Sequence, residues 1–179
     1  MNNIKSLLRA AAFAAGKHNG QKRKGKEGEP YINHPIAVAN LLASIGGISN
    51  IEILNAALLH DTIEDTATTK EELIENFGVR TAEIVCEVTD DKSLPKLVRK
   101  QRQIDHAPHL SDEAKLVKLA DKINNVTDVV ERPAEDWDDG RRREYVNWGV
   151  AVVDGLRGIN PALEERFDQI VEQARAKLS

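Results

Sequence analysis

Residues 58 to 66 read LLHDTIEDT, the segment of this chain richest in side chains able to do chemistry. On a helix His60 and Glu64 stand four apart, as do Asp61 and Asp65, so each pair shares a face. Such a face offers an imidazole and a carboxylate to a metal ion, and carboxylates one turn further along can orient or deprotonate a water. The alternative is a solvated polar patch near a helix end. Leu58, Leu59 and Ile63 argue against it, because they draw the helix into a core. Four ionisable groups on a mostly buried helix are costly unless paired or ligated.

Two further segments could complete a metal site. PYINHP puts His34 just before Pro35, at a loop-to-helix junction where a side chain can enter a cleft; taken alone, such a histidine is more often structural. VKLADKINN puts Asp121 among Val117, Leu119, Ala120 and Ile123. A buried Asp there needs a partner, and a metal, a cap or a salt bridge would each serve. Together His34, His60, Asp61 and Asp121 supply two nitrogens and two carboxylates. That set suits Mn²⁺, Fe²⁺, Co²⁺ or Zn²⁺ better than Mg²⁺ or Ca²⁺, which prefer all-oxygen shells.

The elements that must position these groups all carry helix signals. Ile4, Leu7, Leu8, Ala11, Ala12 and Ala15 follow the spacing of one buried helical face, ending near Gly16. The stretch HNGQKRKGKEGEP reads as a basic loop, and Pro35 can open a second helix that stops at Gly46-Gly47. A third helix holding Ile51, Leu54, Ala57 and Leu58 is expected to run on through HDTIED. Thr69 to Glu72 has the capping-box pattern of a short helix ending at Phe77-Gly78. Helices are expected over 79–88 and 95–107, then from an N-cap at Ser111 to Val130, with Pro133 forcing a break. The last two should cover about 139–156 and 161–178, the latter capped by Asn160. No strand alternation is visible. The expectation is one all-α domain over 1–179, without internal repeat or linker.

Bulk properties narrow the function classes. The chain has 179 residues, 41% apolar and 30% charged, with 4% aromatic. That is an ordinary globular composition whose core rests on aliphatic side chains. The net charge of −4 argues against nonspecific nucleic-acid binding. The single cysteine, Cys86, cannot form an internal disulfide and fits a reducing compartment. Arg9 interrupts the apolar N-terminal stretch, which therefore reads as an amphipathic helix rather than a signal peptide. No run is long enough to span a bilayer. A cytoplasmic protein acting on a small molecule, with no nucleic-acid or membrane partner, is expected.

A distant His, an adjacent His-Asp and a later Asp form the ligand pattern of HD phosphohydrolases. The strings GQKRK, GEPYINHP, LLHDTIEDT, VTDDKSLPK and KLVKLADKINN resemble the hydrolase domain of the RelA/SpoT family, and the tail from Arg143 to Phe167 extends the likeness. It is most similar to the single-domain members, the metazoan SpoT homologues and bacterial small alarmone hydrolases. The resemblance implies an HD-type helical fold, usually with manganese held at positions matching His34, His60, Asp61 and Asp121. Glu64 and Asp65 match the acidic pair credited with activating the attacking water. Arg23 and Lys24 match contacts to the base and ribose, and Asn125 matches a nucleotide-contacting Asn. Tyr145 resembles an aromatic near the nucleotide, and Lys96 and Arg141 resemble phosphate-binding cations. Asn124 faces elsewhere on this reading.

The implied reaction is metal-dependent hydrolysis of the 3′-pyrophosphate of (p)ppGpp, giving GDP or GTP and pyrophosphate. The adenine alarmone (p)ppApp and the 2′-phosphate of NADPH are alternative substrates of the same chemistry, and a silent nucleotide-sensing module is the alternative of another class. One departure stands out: many members carry an Arg where this chain has Thr127, which puts base preference in play. Synthetase and regulatory domains are not expected within these 179 residues.

Overall fold

The computed structural model describes residues 3–25 and 28–178. Met1, Asn2 and Ser179 at the ends, and Lys26 and Glu27 of the basic loop, lie outside the described residues. Among the described residues there are α-helices, one short 3-10 turn and no strand, only an isolated bridge between Lys22 and Pro30. The helices are α1 (Asn3–Lys17), α2 (Asn33–Ser44), α3 (Ile51–Leu59), α4 (Thr62–Asp65), α5 (Lys70–Phe77), α6 (Val79–Val88), α7 (Lys96–His106), α8 (Asp112–Glu131), α9 (Asp139–Asp154) and α10 (Pro161–Leu178). None is long and apolar enough to cross a membrane.

Local chemistry sets most boundaries. Asn50 caps α3, its side chain accepting from the backbone of Glu52 at 2.8 Å. Thr69 accepts from the Glu72 backbone at 3.2 Å. The other half of that capping box does not form, because the Glu72 carboxylate pairs with Lys17 at 2.7 Å instead. Ser111 caps α8 through Ala114, and Asn160 caps α10 through Leu163.

The core is organised around α8, which packs against α2, α3, α6, α9 and α10. Val117, Leu119, Ala120, Ile123 and Val126 of α8 are essentially inaccessible to solvent. The same helix carries Lys118, Asp121, Lys122 and Asn125 at i, i+3, i+4 and i+7, a polar stripe running along a buried rod. α9 approaches α8 closely at Gly149, where a Cβ would stand 3.3 Å from Val126.

Two expectations from sequence are corrected. On α1 the buried residues are Ser6, Ala10 and Ala14, while Ile4 and Leu8 are 70% and 65% exposed, and Ala12 and Ala15 are also exposed. The small side chains let α1 lie close on α3, where the Asn55 amide donates to Ser6 Oγ at 2.8 Å. Close packing of alanines has turned the helix away from Ile4 and Leu8, while Leu7 and Ala11 of the expected face still pack half-buried against the core.

The third helix does not run on through HDTIED. It stops at Leu59, and after a turn at His60-Asp61 the short α4 begins. His60 Nδ1 lies 2.8 Å from the Ala57 carbonyl and the Thr62 hydroxyl donates to Leu59 O at 2.7 Å. These side chains compete for carbonyls that a continuing helix would use. The Asp65 N–H still reaches Asp61 O at 2.8 Å, so the expected four-residue spacing survives the break.

The orientation of α1 is testable by urea denaturation. Leu8→Ser should change stability by less than about 0.5 kcal/mol, whereas Ala10→Leu should cost about 1–3 kcal/mol. The reverse order would turn α1 back onto the leucine face.

Candidate active site

The N-terminus of α2, the break after α3 and the middle of α8 converge on His34, His60 and Asp121. One ligand atom of each lies within 4.8 Å of the others, and all three residues are buried. The two Nε2 atoms face each other at 3.2 Å. Asp121 Oδ1 is 3.2 Å from His34 Nε2, and Asp61 Oδ2 is 3.1 Å from His60 Nε2 and 3.5 Å from His34 Nε2.

The far sides of both rings are already engaged. A carbonyl can only accept, so the contact with Ala57 O places a proton on His60 Nδ1 and leaves Nε2 its lone pair. The Asn124 side-chain oxygen, 2.6 Å from His34 Nδ1, does the same for His34. Two nitrogen lone pairs and two carboxylates aimed at one point repel one another unless a cation sits among them. Burial opposes charge on His60, but Asp61 and Asp121 overcome it and raise the imidazole to about 10. Against the effect of burial, His60 holds the Asp61 carboxyl well below its ordinary range, and Lys122, with both histidines, does the same for Asp121. The donor set therefore fits a divalent transition ion.

Glu64 and Asp65 flank this cluster on α4. Glu64 accepts the Asp90 backbone N–H at 3.0 Å, and Arg99 lies 3.8 Å from it. Burial raises Glu64 above its usual value, more than the Asp90 N–H lowers it. Asp65 pairs with Lys92. The Tyr31 hydroxyl stands 2.7 Å from Asp61 Oδ2 and 3.1 Å from Asp65 Oδ2, with one proton to share between them. Burial and these carboxylates push its ionisation far above the ordinary tyrosine value.

A cleft of about 1060 Å³ opens over this floor. The bridge between Lys22 and Pro30 closes the basic loop and delivers Arg23 to its wall, where Nη2 bonds Asn125 Oδ1 at 2.8 Å and Asp128 Oδ2 at 2.6 Å. Asn125 in turn donates to Asp121 at 2.6 Å. Lys24 and Lys96 line the cleft as exposed cations. Arg141 lies over Trp137 at 4.5 Å and pairs with Asp136, and Tyr145 packs between Trp137 and Trp148. His60, Asp61, Glu64, Asp65 and Asp121 also line the cleft, and the buried His34 meets His60 and Asp121 behind that lining. Every residue given a metal, catalytic or substrate role in the sequence thus reaches one place.

Thr127 does not. Its hydroxyl donates back to Ile123 O at 2.7 Å, and the residue is not part of the cleft wall. Asn124 corrects the other way: it is buried against His34 rather than facing elsewhere. Its place three residues after Asp121 put it within reach of the same turn. Tyr31, three residues before His34, and Lys122, whose ammonium donates to Asp121 Oδ2 at 3.0 Å, were also not singled out from sequence.

Similar proteins are known. A model of the HD domain matches residues 10–145. The guanosine-3′,5′-bis(diphosphate) 3′-pyrophosphohydrolase MESH1 of Danio rerio is 52% identical over 172 residues, covering 96% of each chain. That of Homo sapiens is 53% identical over 167 residues, covering 93% of each. A solved structure, described as a metazoan ortholog of SpoT that hydrolyzes ppGpp and plays a role in starvation responses, superposes with a TM-score of 0.91. It is 42% identical and covers 94% of each chain.

Asn124→Leu should weaken divalent-metal affinity about 10–100-fold, since the group orienting a ligating His is removed. Isothermal titration with Mn²⁺ measures this, and an unchanged affinity would deny Asn124 its hold on His34.

Proposed function

Because this chain belongs to the HD-domain family, alongside relatives that are guanosine-3′,5′-bis(diphosphate) 3′-pyrophosphohydrolases, we propose that it hydrolyses the 3′-pyrophosphate of (p)ppGpp. The products are GDP or GTP and pyrophosphate. The observation that carries the reading is the His34, His60, Asp61 and Asp121 cluster on the floor of a cleft walled by cations. Manganese is the metal we assign, with other divalent transition ions able to replace it. Residues 1–179 are taken as a single hydrolase domain, a reading supported by the continuous core around α8.

His34, His60, Asp61 and Asp121 would hold the ion. When bound, it supplies Lewis acidity that polarises a phosphoryl oxygen and makes a water acidic. The chain's own groups do the rest. Glu64 and Asp65 are the carboxylates to which we assign the proton of the attacking water, and burial raises Glu64 above its ordinary value, which suits it to act as a base. Tyr31 keeps Asp61 and Asp65 at a fixed separation. Arg23, held by Asn125 and Asp128, offers a guanidinium face to the base, with Lys24 beside it. Lys96 and Arg141 offset phosphate charge, and Tyr145 supplies an aromatic surface near the nucleotide.

The direct test is a chromatographic assay of ppGpp, ppApp and NADPH with chelator-stripped protein, with and without Mn²⁺. Mn²⁺-dependent release of pyrophosphate from ppGpp is expected, falling by about 10²–10⁴-fold in Asp65→Asn. Release from neither alarmone would sink the reading, and faster turnover of ppApp would move it to adenine.

The base assignment has its own test. A base must be unprotonated, so at saturating Mn²⁺ kcat should rise with pH through a point above the ordinary carboxylate range. Glu64→Gln should abolish that limb. A limb that persists unchanged belongs to another group.

A further inference from the structure

Two cations share one indole at the edge of the cleft. The Lys122 ammonium lies 4.6 Å from the Trp148 ring centroid and the Lys100 ammonium 4.8 Å from it. Lys100 also stands 5.5 Å from the Tyr145 ring. The indole is fixed to α7, its Nε1 donating to the Lys100 carbonyl at 3.1 Å. Lys122 is buried and spends one donor on Asp121, which places its charge one carboxylate away from the metal-binding cluster.

Lys100 has aromatic faces against its ammonium and, among the described residues, no carboxylate in ion-pair contact. Burial pulls that ammonium below its ordinary value, and Lys96, Lys122 and Arg141 add to the effect, with Glu144 opposing them. A protein gains nothing in stability by crowding cations on a half-buried wall. The arrangement makes sense if the missing negative charge arrives with a ligand.

We infer that Lys100, sharing the Trp148 indole with Lys122, forms an anion subsite for a phosphate group other than the one undergoing attack. The ligand class is a nucleoside polyphosphate or its inorganic pyrophosphate product. The inference rests on the alarmone-hydrolase reading only for which nucleotide brings the phosphate. Two sources share this chemistry: the outer phosphate of the 3′-pyrophosphate and the 5′-diphosphate. Lys122 is hydrogen-bonded to Asp121 of the cluster and shares the Trp148 ring with Lys100, so the two cations link the cluster to the aromatic wall. No covalent step is assigned to Lys100, which binds and orients.

The chain holds two tryptophans, and both line this cleft, so emission reports on it directly. The experiment titrates the full-length protein, without added metal, separately with inorganic pyrophosphate and with GDP, in a Trp137→Phe background. A saturable change in Trp148 emission is expected. Lys100→Ala should weaken the affinity about tenfold or more, and Lys100→Arg should restore most of it. Loss for pyrophosphate alone assigns the subsite to the leaving group, and loss for GDP assigns it to the 5′ end. Circular dichroism of each variant checks that the helices persist.

The inference is overturned if neither anion gives a saturable change, or if Lys100→Ala binds both as tightly as the parent. A parent protein that binds pyrophosphate through Lys100 yet leaves ppGpp intact would keep the subsite and defeat the hydrolase reading instead.

Discussion

Two histidine nitrogens with their lone pairs 3.2 Å apart, and two carboxylates closing on the same point, cannot coexist without positive charge between them. Everything around the cluster is arranged to make that contact unavoidable. Ala57 O and Asn124 hold the outer edges of the rings, Lys122 and Asn125 hold Asp121, and Tyr31 holds Asp61. No single restraint is strong. Together they remove the rotamer freedom by which the groups could otherwise move apart, so the binding of a cation meets little reorganisation.

The helix that bears this load is α8. A rod buried on nearly all sides would be expected to be apolar all round, yet it carries Lys118, Asp121, Lys122 and Asn125 along one stripe. Each has an internal partner. Lys118 donates to Val88 O at 2.9 Å, Lys122 to Asp121, Asn125 to Asp121, and Arg23 reaches Asn125 from the loop. The polar stripe is therefore satisfied within the protein before any ligand arrives. That is what allows a charged wall to sit against an aliphatic core.

Much of this was legible in the residues. Caps at Asn160, Ser111 and Thr69 and breaks at Gly46 and Pro133 marked helix ends through local hydrogen bonding, which sequence carries directly. His60, Asp61, Glu64 and Asp65 announced themselves by their density on one turn. The failures share a cause: each was decided by a partner distant in sequence. Which face of α1 is buried depended on Asn55 and the close approach of α3. Asn124 took its role from His34, ninety positions away, and Tyr31 from two carboxylates on another element. The break at His60-Asp61 was visible only as competition among side chains for carbonyls. Lys100 and Trp148 looked like ordinary helix residues until α7 and α9 were laid together.

The helix α7 carries Lys96, Arg99 and Lys100 to the cleft but contributes no buried residue of its own, and Leu97 at its rim is 80% exposed. Its hold on the body comes from the half-buried Ile104 and a few polar contacts, such as Trp148 Nε1 to Lys100 O and Gln103 to Asp90 at 2.6 Å. Amide hydrogens along α7 should therefore exchange through local opening, well below the free energy of global unfolding, while those of α8 track the whole molecule. A phosphate-bearing ligand that bridges α7 to the rest would close those openings. Part of its binding energy goes into ordering that helix, so intrinsic affinity and observed affinity differ by the cost of keeping α7 shut.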